Sequence, residues 1–322
     1  MQITLAPMEG VIDHLMRHML TSMGGIDLCV TEFIRIVDQK LPERVFHRFC
    51  PELKNGSKTP NGTPVKIQLL GQDPNWLSEN AVVATNLGSP GIDLNFGCPA
   101  KTVNKNRGGA VLLQDPECLY QIARAVRSSV PNDLPVTAKM RLGFKDKSLA
   151  IENAQALEAG GVNEIAVHAR TKTEGYNPPA YWSWIKTISD NIQTPLVANG
   201  EIWQPSDAKQ CQQESGCENI MLGRGALAVP NLSAWIKGDS KKLPWLEIYD
   251  LLLAFAQYKI EGDKGLYYSN RVKQWLSYLK MQYSEAQPLF RQARTIRKQD
   301  EMVSFLEQEK AIFQNLNGAS AA

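Results

Sequence analysis

Asp93-Leu94-Asn95-Phe96-Gly97-Cys98-Pro99 reads as a strand that stops and hands one cysteine to a loop. Ile92 and Leu94 supply the apolar run. Gly97 and Pro99 break it sharply, so Cys98 is expected at the strand's end rather than within it. Ala100-Lys101-Thr102 and a Gly108-Gly109 pair follow. A thiol placed there can reach a ligand. The alternative is a small cysteine packed at a strand end, the common fate of free cysteine.

Outward from this stretch the same unit recurs. Short apolar runs lie at 3–7, 28–33, 65–70, 91–95, 136–141, 164–168, 196–199 and 219–222. Between them, helical spacing covers 74–87, 116–130, 149–159, 182–189 and 206–215. Asp73-Pro74, Asp115-Pro116 and Ser206-Asp207 are expected to start three of these helices. Eight runs alternating with helices predict an α/β chain closed as a (β/α)8 TIM barrel. A doubly wound open sheet is the competing topology, but no G-x-G-x-x-G or P-loop follows the first run. The pattern changes at 237–244. Beyond it, helical spacing at 245–260, 269–283, 285–296 and 300–316 predicts a small C-terminal helical domain. The expected domains are 1–242 and 243–322, with 317–322 as a frayed end.

The composition limits the function classes. At 322 residues, 43% hydrophobic and 21% charged, the chain can bury a full core. No secretory leader and no run of about 18 apolar residues is visible, so a cytoplasmic protein without a membrane segment is expected. Six scattered cysteines and four histidines lack ligand spacing, so neither metal nor disulfide framework is expected. Net charge is +2, unevenly placed. Residues 1–236 carry 22 Lys/Arg against 23 Asp/Glu, residues 237–298 carry 12 against 6, and residues 299–322 carry 1 against 4. A basic segment on a neutral body is compatible with a polyanionic partner, or is simply a solvated face.

In a closed barrel the catalytic groups lie where the strands end. The closures offer Pro7-Met8-Glu9-Gly10, then Glu32 and Arg35, Gln68, Asn95 and Cys98, and Lys139 and Arg141. His168 and Arg170, Asn199-Gly200-Glu201 and Gly223-Arg224-Gly225 complete the series. Lys, His, Asn and Gln facing one ring centre would be costly without a polar ligand in the mouth. The last two closures place glycine-lined amides where barrels commonly hold a phosphate, and Arg224 adds a forked cation. Two ordinary glycine turns are the bland alternative.

At this point the residues resemble a known family. Ala6-Pro7-Met8-Glu9-Gly10, Gln68-Leu69-Leu70-Gly71, the Asn95–Pro99 stretch, Val167-His168-Ala169-Arg170-Thr171, Asn199-Gly200-Glu201-Ile202 and Gly223-Arg224-Gly225 look like the tRNA-dihydrouridine synthases. The resemblance covers essentially the whole chain. Thr31-Glu32-Phe33-Ile34-Arg35-Ile36-Val37-Asp38 and Arg271-Val272-Lys273-Gln274-Trp275-Leu276 resemble the bacterial branch that acts on uridine 16 of the D-loop. Phe96 departs from the family's usual residue and leaves Cys98 the motif's single thiol.

The resemblance implies an FMN enzyme that reduces uridine in tRNA with NADPH; a monomer is expected. It implies that Pro7, Met8 and Glu9 lie against the flavin, with Gln68 and Lys139 at its polar edge. His168, Asn199, Gly200, Glu201, Gly223 and Arg224 would bind the ribityl chain and phosphate. Cys98 would be the catalytic acid, and Asn95 would help hold the uracil. The chemistry is consistent with the residue types: FMN gives hydride to C6, and C5 takes a proton. A thiol near pKa ~8.5 still carries its proton at pH 7, whereas a carboxyl near ~4 does not.

The RNA must also be held. Arg271, Lys273, Lys280, Arg291, Arg294, Arg297 and Lys298 are the expected tail contacts, with Arg291, Arg294 and Lys298 as one stripe at i, i+3, i+7 on a helix. Arg35 and Arg141 at the rim, with Tyr176 on a loop, would extend that surface. Two rivals remain open here: a flavin barrel for a small molecule, of dihydroorotate or enoate reductase type, and an RNA-binding chaperone on an inert barrel.

Overall fold

Nine parallel strands form the sheet of the first unit: β1 Ile3–Leu5, β2 Leu28–Val30, β3 Ile34–Arg35, β4 Val65–Leu70, β5 Ile92–Phe96, β6 Val136–Arg141, β7 Glu164–His168, β8 Leu196–Asn199 and β9 Asn219–Leu222. The structure is a computed structural model that describes residues 1–258, 263 and 265–318, except for the side chains of 317 and 318. β2 pairs with both β1 and β4, and β1 with β9, so the ring closes. β2 and β3 both pair with β4 and act as one interrupted stave, leaving eight around the barrel. The fold is therefore a (β/α)8 TIM barrel followed by helices, as the alternation of runs requires.

Both faces of the strands are covered: β4, β5, β8 and nearly all of β6, β7 and β9 are buried, Lys66, Gln68, Asp93 and Asn95 included. Helices Pro74–Asn86, Pro116–Ser129, Ala150–Ala159 and Trp182–Ser189 cover the outside. Asp73 accepts from Asn75 and Trp76 N–H, and Asp115 from Cys118 N–H, which fixes where two of them start. A third helix, Pro205–Ser215, starts one residue earlier than expected. Its N-cap is Gln204, and Asp207 reaches back to the N–H of Gln204.

A polar chain crosses the barrel interior. Lys66 Nζ donates to Thr137 Oγ1 (3.3 Å), which donates to Asp93 Oδ1 (2.6 Å). Gln68 Nε2 donates to Asp93 Oδ2 (2.7 Å), and Asn95 Nδ2 donates to Gln68 Oε1 (2.7 Å). Each member is satisfied, as burial demands.

The compact units divide at Gly223/Arg224, rather than at the expected 242/243. The short helices Arg224–Ala228 and Leu232–Lys237 group with the tail because Trp275 Nε1, buried in the helix Tyr267–Leu279, donates to Leu227 O. The other tail helices are Trp245–Ala254, Ala286–Ala293 and Gln299–Gly318. Residues 259–260, expected to end the first tail helix, and 319–322 of the expected frayed end lie outside the described residues. No helix among the described residues is long and apolar enough to cross a membrane.

Candidate active site

The site gathers at the carboxyl ends of the strands. β5 ends at Phe96, and Asn95 reaches forward: its Oδ1 accepts the N–H of Gly97 (3.0 Å) and Cys98 (2.9 Å). That side-chain cap is what turns the strand into the cysteine loop. The loop is closed from the other side, where Ala110 N–H and Asn104 Nδ2 both donate to Cys98 O. Gly109, at φ +67°, lies so close that a Cβ there would sit 2.8 Å from Cys98 O and 2.9 Å from Cys98 Cβ. Gly109→Ala is expected to lower stability by about 1–3 kcal/mol and to displace the thiol. Denaturant titration beside Cys98 alkylation rates checks both effects.

Cys98 is half-buried and packs on Phe33, Leu70 and Val103. Burial pushes its thiol up from 9.0. The N–H of Ala100 lowers it, Glu9 raises it and Arg141 lowers it, with a net upward shift. The thiol therefore keeps its proton at neutral pH.

Across the mouth, Lys139 Nζ on β6 donates to Asn199 Oδ1 on β8 (3.1 Å), and Asn199 Nδ2 donates to Met221 O (2.7 Å). Among the described residues Lys139 has no ion-pair partner; desolvation and then Arg141 push it down to about 8, against a smaller opposing pull from Asp93. His168 ends β7, and a Cβ on Gly200 (φ +121°) would meet its imidazole at 3.3 Å. Met8 and Gly223 face each other in the same way, with 3.5 Å from a Cβ on Gly223 to Met8 Sδ. Pro7 and Met8 are half-buried and Glu9 is exposed. The structure thus joins Lys139, His168, Asn199 and Gly200 on one side, and Gln68, Asn95 and Cys98 on the other. A desolvated ammonium whose hydrogen bond goes to a neutral amide suits an electron-rich, negatively charged ligand edge, so the donor set fits a flavin.

Several expected residues are occupied differently. Gln68 is fully buried, with its amide engaged by Asp93 and Asn95. The carboxylate of Glu201 is held by Arg170 Nη2 and by Trp203 Nε1 (3.0 Å), so only its backbone, at φ +58°, is left to face an anion. Arg141, expected at the RNA-facing rim, is 3% exposed. Its guanidinium donates to the carbonyls of Gly97, Thr171 and Gly175, because it ties the cysteine loop to the loop after β7. Arg224 opens the second unit as the first residue of a five-residue helix.

The family model described as Dihydrouridine synthase (Dus) matches residues 4–317. The chain belongs to the dihydrouridine synthase family. A tRNA-dihydrouridine(16) synthase of Shewanella oneidensis is 53% identical, over 96% of this chain and 98% of its own. The protein of that name in Escherichia coli is 51% identical, over 92% and 94%. Among solved structures, a 2-naphthoyl-CoA reductase in complex with 2-naphthoyl-CoA aligns over 74% of this chain and 50% of its own, at TM-score 0.57 and 13% identity. A variant of NCR from Zymomonas mobilis covers 74% and 87%, at TM-score 0.52 and 15% identity. These two share the barrel fold.

The residues expected to face RNA lie in both units. Arg35 is exposed, and Tyr176, 49% exposed, sets its ring 5.9 Å from that of His168. In the tail, Arg271 Nη1 donates to Gln274 Oε1 and its guanidinium lies 5.2 Å from the Tyr267 ring centre. Lys273 Nζ donates to Ile296 O (2.9 Å). The helical stripe of Arg291, Arg294 and Lys298 does not form. The helix stops at Ala293 with Arg294 as its C-cap, and the chain turns where Lys273 and Ser269 hold the carbonyls of Ile296 and Lys298. Arg291, Arg294 and Lys298 are each exposed.

Sequence reading gave no role to Asp93, Asn104 or Trp203, and it placed Arg170 at a strand end without a partner. A charged residue within the apolar run 91–95 was the available signal for Asp93. The others are legible only through their partners.

Proposed function

We propose that this chain reduces a uridine of tRNA to 5,6-dihydrouridine, at position 16 of the D-loop, with FMN as cofactor and NADPH as reductant. The observation that carries this reading is Cys98: a half-buried thiol on a loop capped by Asn95 just beyond the carboxyl end of β5, in a barrel whose other strands bring Lys139, His168 and Asn199 to the same mouth. The near-complete coverage of relatives bearing the name tRNA-dihydrouridine(16) synthase supports the substrate and the position.

When bound, reduced FMN supplies the hydride that C6 of the uracil requires. Cys98 Sγ delivers the proton to C5. Lys139, with Asn199 beside it, sets positive charge at the ligand's electron-rich edge. His168, Asn199, Gly200 and Gly223 line the side assigned to the ribityl chain and phosphate, with Arg224 following Gly223 along the chain. Pro7 and Met8 offer an apolar wall, and Asn95 keeps one amide N–H beyond its bond to Gln68. Arg35, Tyr176, Arg271, Lys273 and Arg294 are assigned to the RNA, which must give up base stacking at a few kcal/mol to enter the mouth.

Mapping dihydrouridine in tRNA from a strain lacking this protein tests the reading. Loss confined to position 16 is expected. A full complement there refutes the assignment, and loss at another D-loop uridine refutes the position alone.

A further inference from the structure

Beside the cysteine loop the first unit holds a cavity of about 380 Å³, walled by Arg35, Lys105 and Arg107 with Gly71, Gln72 and Gly108. No acidic residue lines it. All three cations are exposed, and no hydrogen bond or ion pair engages their side chains among the described residues. Two walls are necessarily backbone: a Cβ on Gly71 would meet Ile36 O at 2.8 Å, and one on Gly108 would meet Leu70 Cδ2 at 2.8 Å. Arg107 holds φ +53°, a conformation that an arginine seldom adopts.

Three like charges around one small hollow repel one another unless an anion or its counterions lie between them. Arginine and lysine beside open backbone make a donor set for phosphoryl oxygens. No aromatic ring lines the cavity to stack a nicotinamide or adenine. A phosphate belonging to a chain that continues beyond the cavity suits it better than a dinucleotide does.

We propose that this cavity is a phosphoryl-group site that takes a phosphodiester of the tRNA strand carrying the target uridine. The inference rests on the tRNA reading above and adds a place for the backbone. It also links the backbone to the chemistry. Asn104 and Ala110, which flank the cavity's 105–108 segment, donate to Cys98 O, and Gly109 is packed against Cys98. A phosphate clamped by Lys105 and Arg107 steadies the segment that sets the thiol's position.

The test uses the full-length holoenzyme with Lys105→Gln and Arg107→Asn, singly and together; asparagine tolerates the positive φ. Transfer-RNA affinity is read by anisotropy across a salt series, and flavin reduction by NADPH is read separately. Both single variants are expected to fold, and the double variant to bind tRNA roughly tenfold more weakly. The slope of log K against log salt should flatten by about one. The KM for NADPH should be unchanged. An unchanged slope overturns the site. A raised NADPH KM with intact tRNA binding overturns the RNA source and gives the cavity to the dinucleotide. Anisotropy needs no turnover, so a wild-type protein that shows the slope effect but forms no dihydrouridine would refute the proposed function and leave the cavity standing.

Discussion

Replacing Cys98 with alanine is expected to stop dihydrouridine formation while leaving flavin content and NADPH-driven reduction intact. Loss of a positioned proton donor removes about 10²–10⁴ in rate. The donor's surroundings make the pH dependence specific. Burial raises the thiol above 9.0, and the acid is active only while protonated. Wild-type turnover should therefore stay flat through neutral pH and fall only above the ordinary thiol range. Single-turnover assays from pH 6 to pH 10 check this. A Cys98→Ala enzyme with wild-type product yield, or a wild-type rate that falls between pH 6 and 8, removes the thiol from the proton step. Cys29, Cys50 and Cys211 do not substitute for it: they are buried, with thiols pushed up to about 12.

Lys139→Met should act on the other half of the site. Methionine keeps the buried stem but removes the charge, so flavin retention is expected to weaken at least tenfold, read as flavin absorbance after dialysis. The same lysine predicts a stability signature in flavin-free protein. Its folded value is about 8, against 10.5 in the unfolded chain, so between these values the unfolded chain holds more protons. Burying the ammonium therefore costs stability in full below pH 8, and that cost fades as pH rises towards 10.5. Flavin-free Lys139→Met should melt above the wild type at pH 7, with the advantage shrinking by pH 9.5. A difference independent of pH, or unchanged flavin content, refutes the role.

Much of the fold lies in local pattern. Runs such as 65–70 and 136–141 match β4 and β6 residue for residue, because every second residue (Val65, Ile67, Leu69; Val136, Ala138, Met140) is apolar and fully buried. Asp73 and Asp115 mark helix starts because each serves the amides of its own first turn. The alternation of run and helix then leaves few topologies. Lys139, His168, Asn199 and Cys98 were legible as a group because each sits within two residues of a strand's carboxyl end, and a closed barrel turns all such ends to one mouth.

The rest depended on partners distant in sequence. Arg141 and Arg35 both sit at strand ends and read alike, yet one is buried against three carbonyls and the other stands in solvent beside an uncompensated cavity. Glu201 reads as a site residue, but Arg170 and Trp203 take its carboxylate. The stripe at 291–298 obeys helical spacing but breaks where Ser269 and Lys273 capture the carbonyls of the turn. The sequence alone determined the barrel, its mouth and the position of its thiol, because strand periodicity and capping are short-range. Only the tertiary structure decided which charged side chains remain available to a ligand, because each depends on which buried carbonyls and carboxylates the closed ring brings within reach.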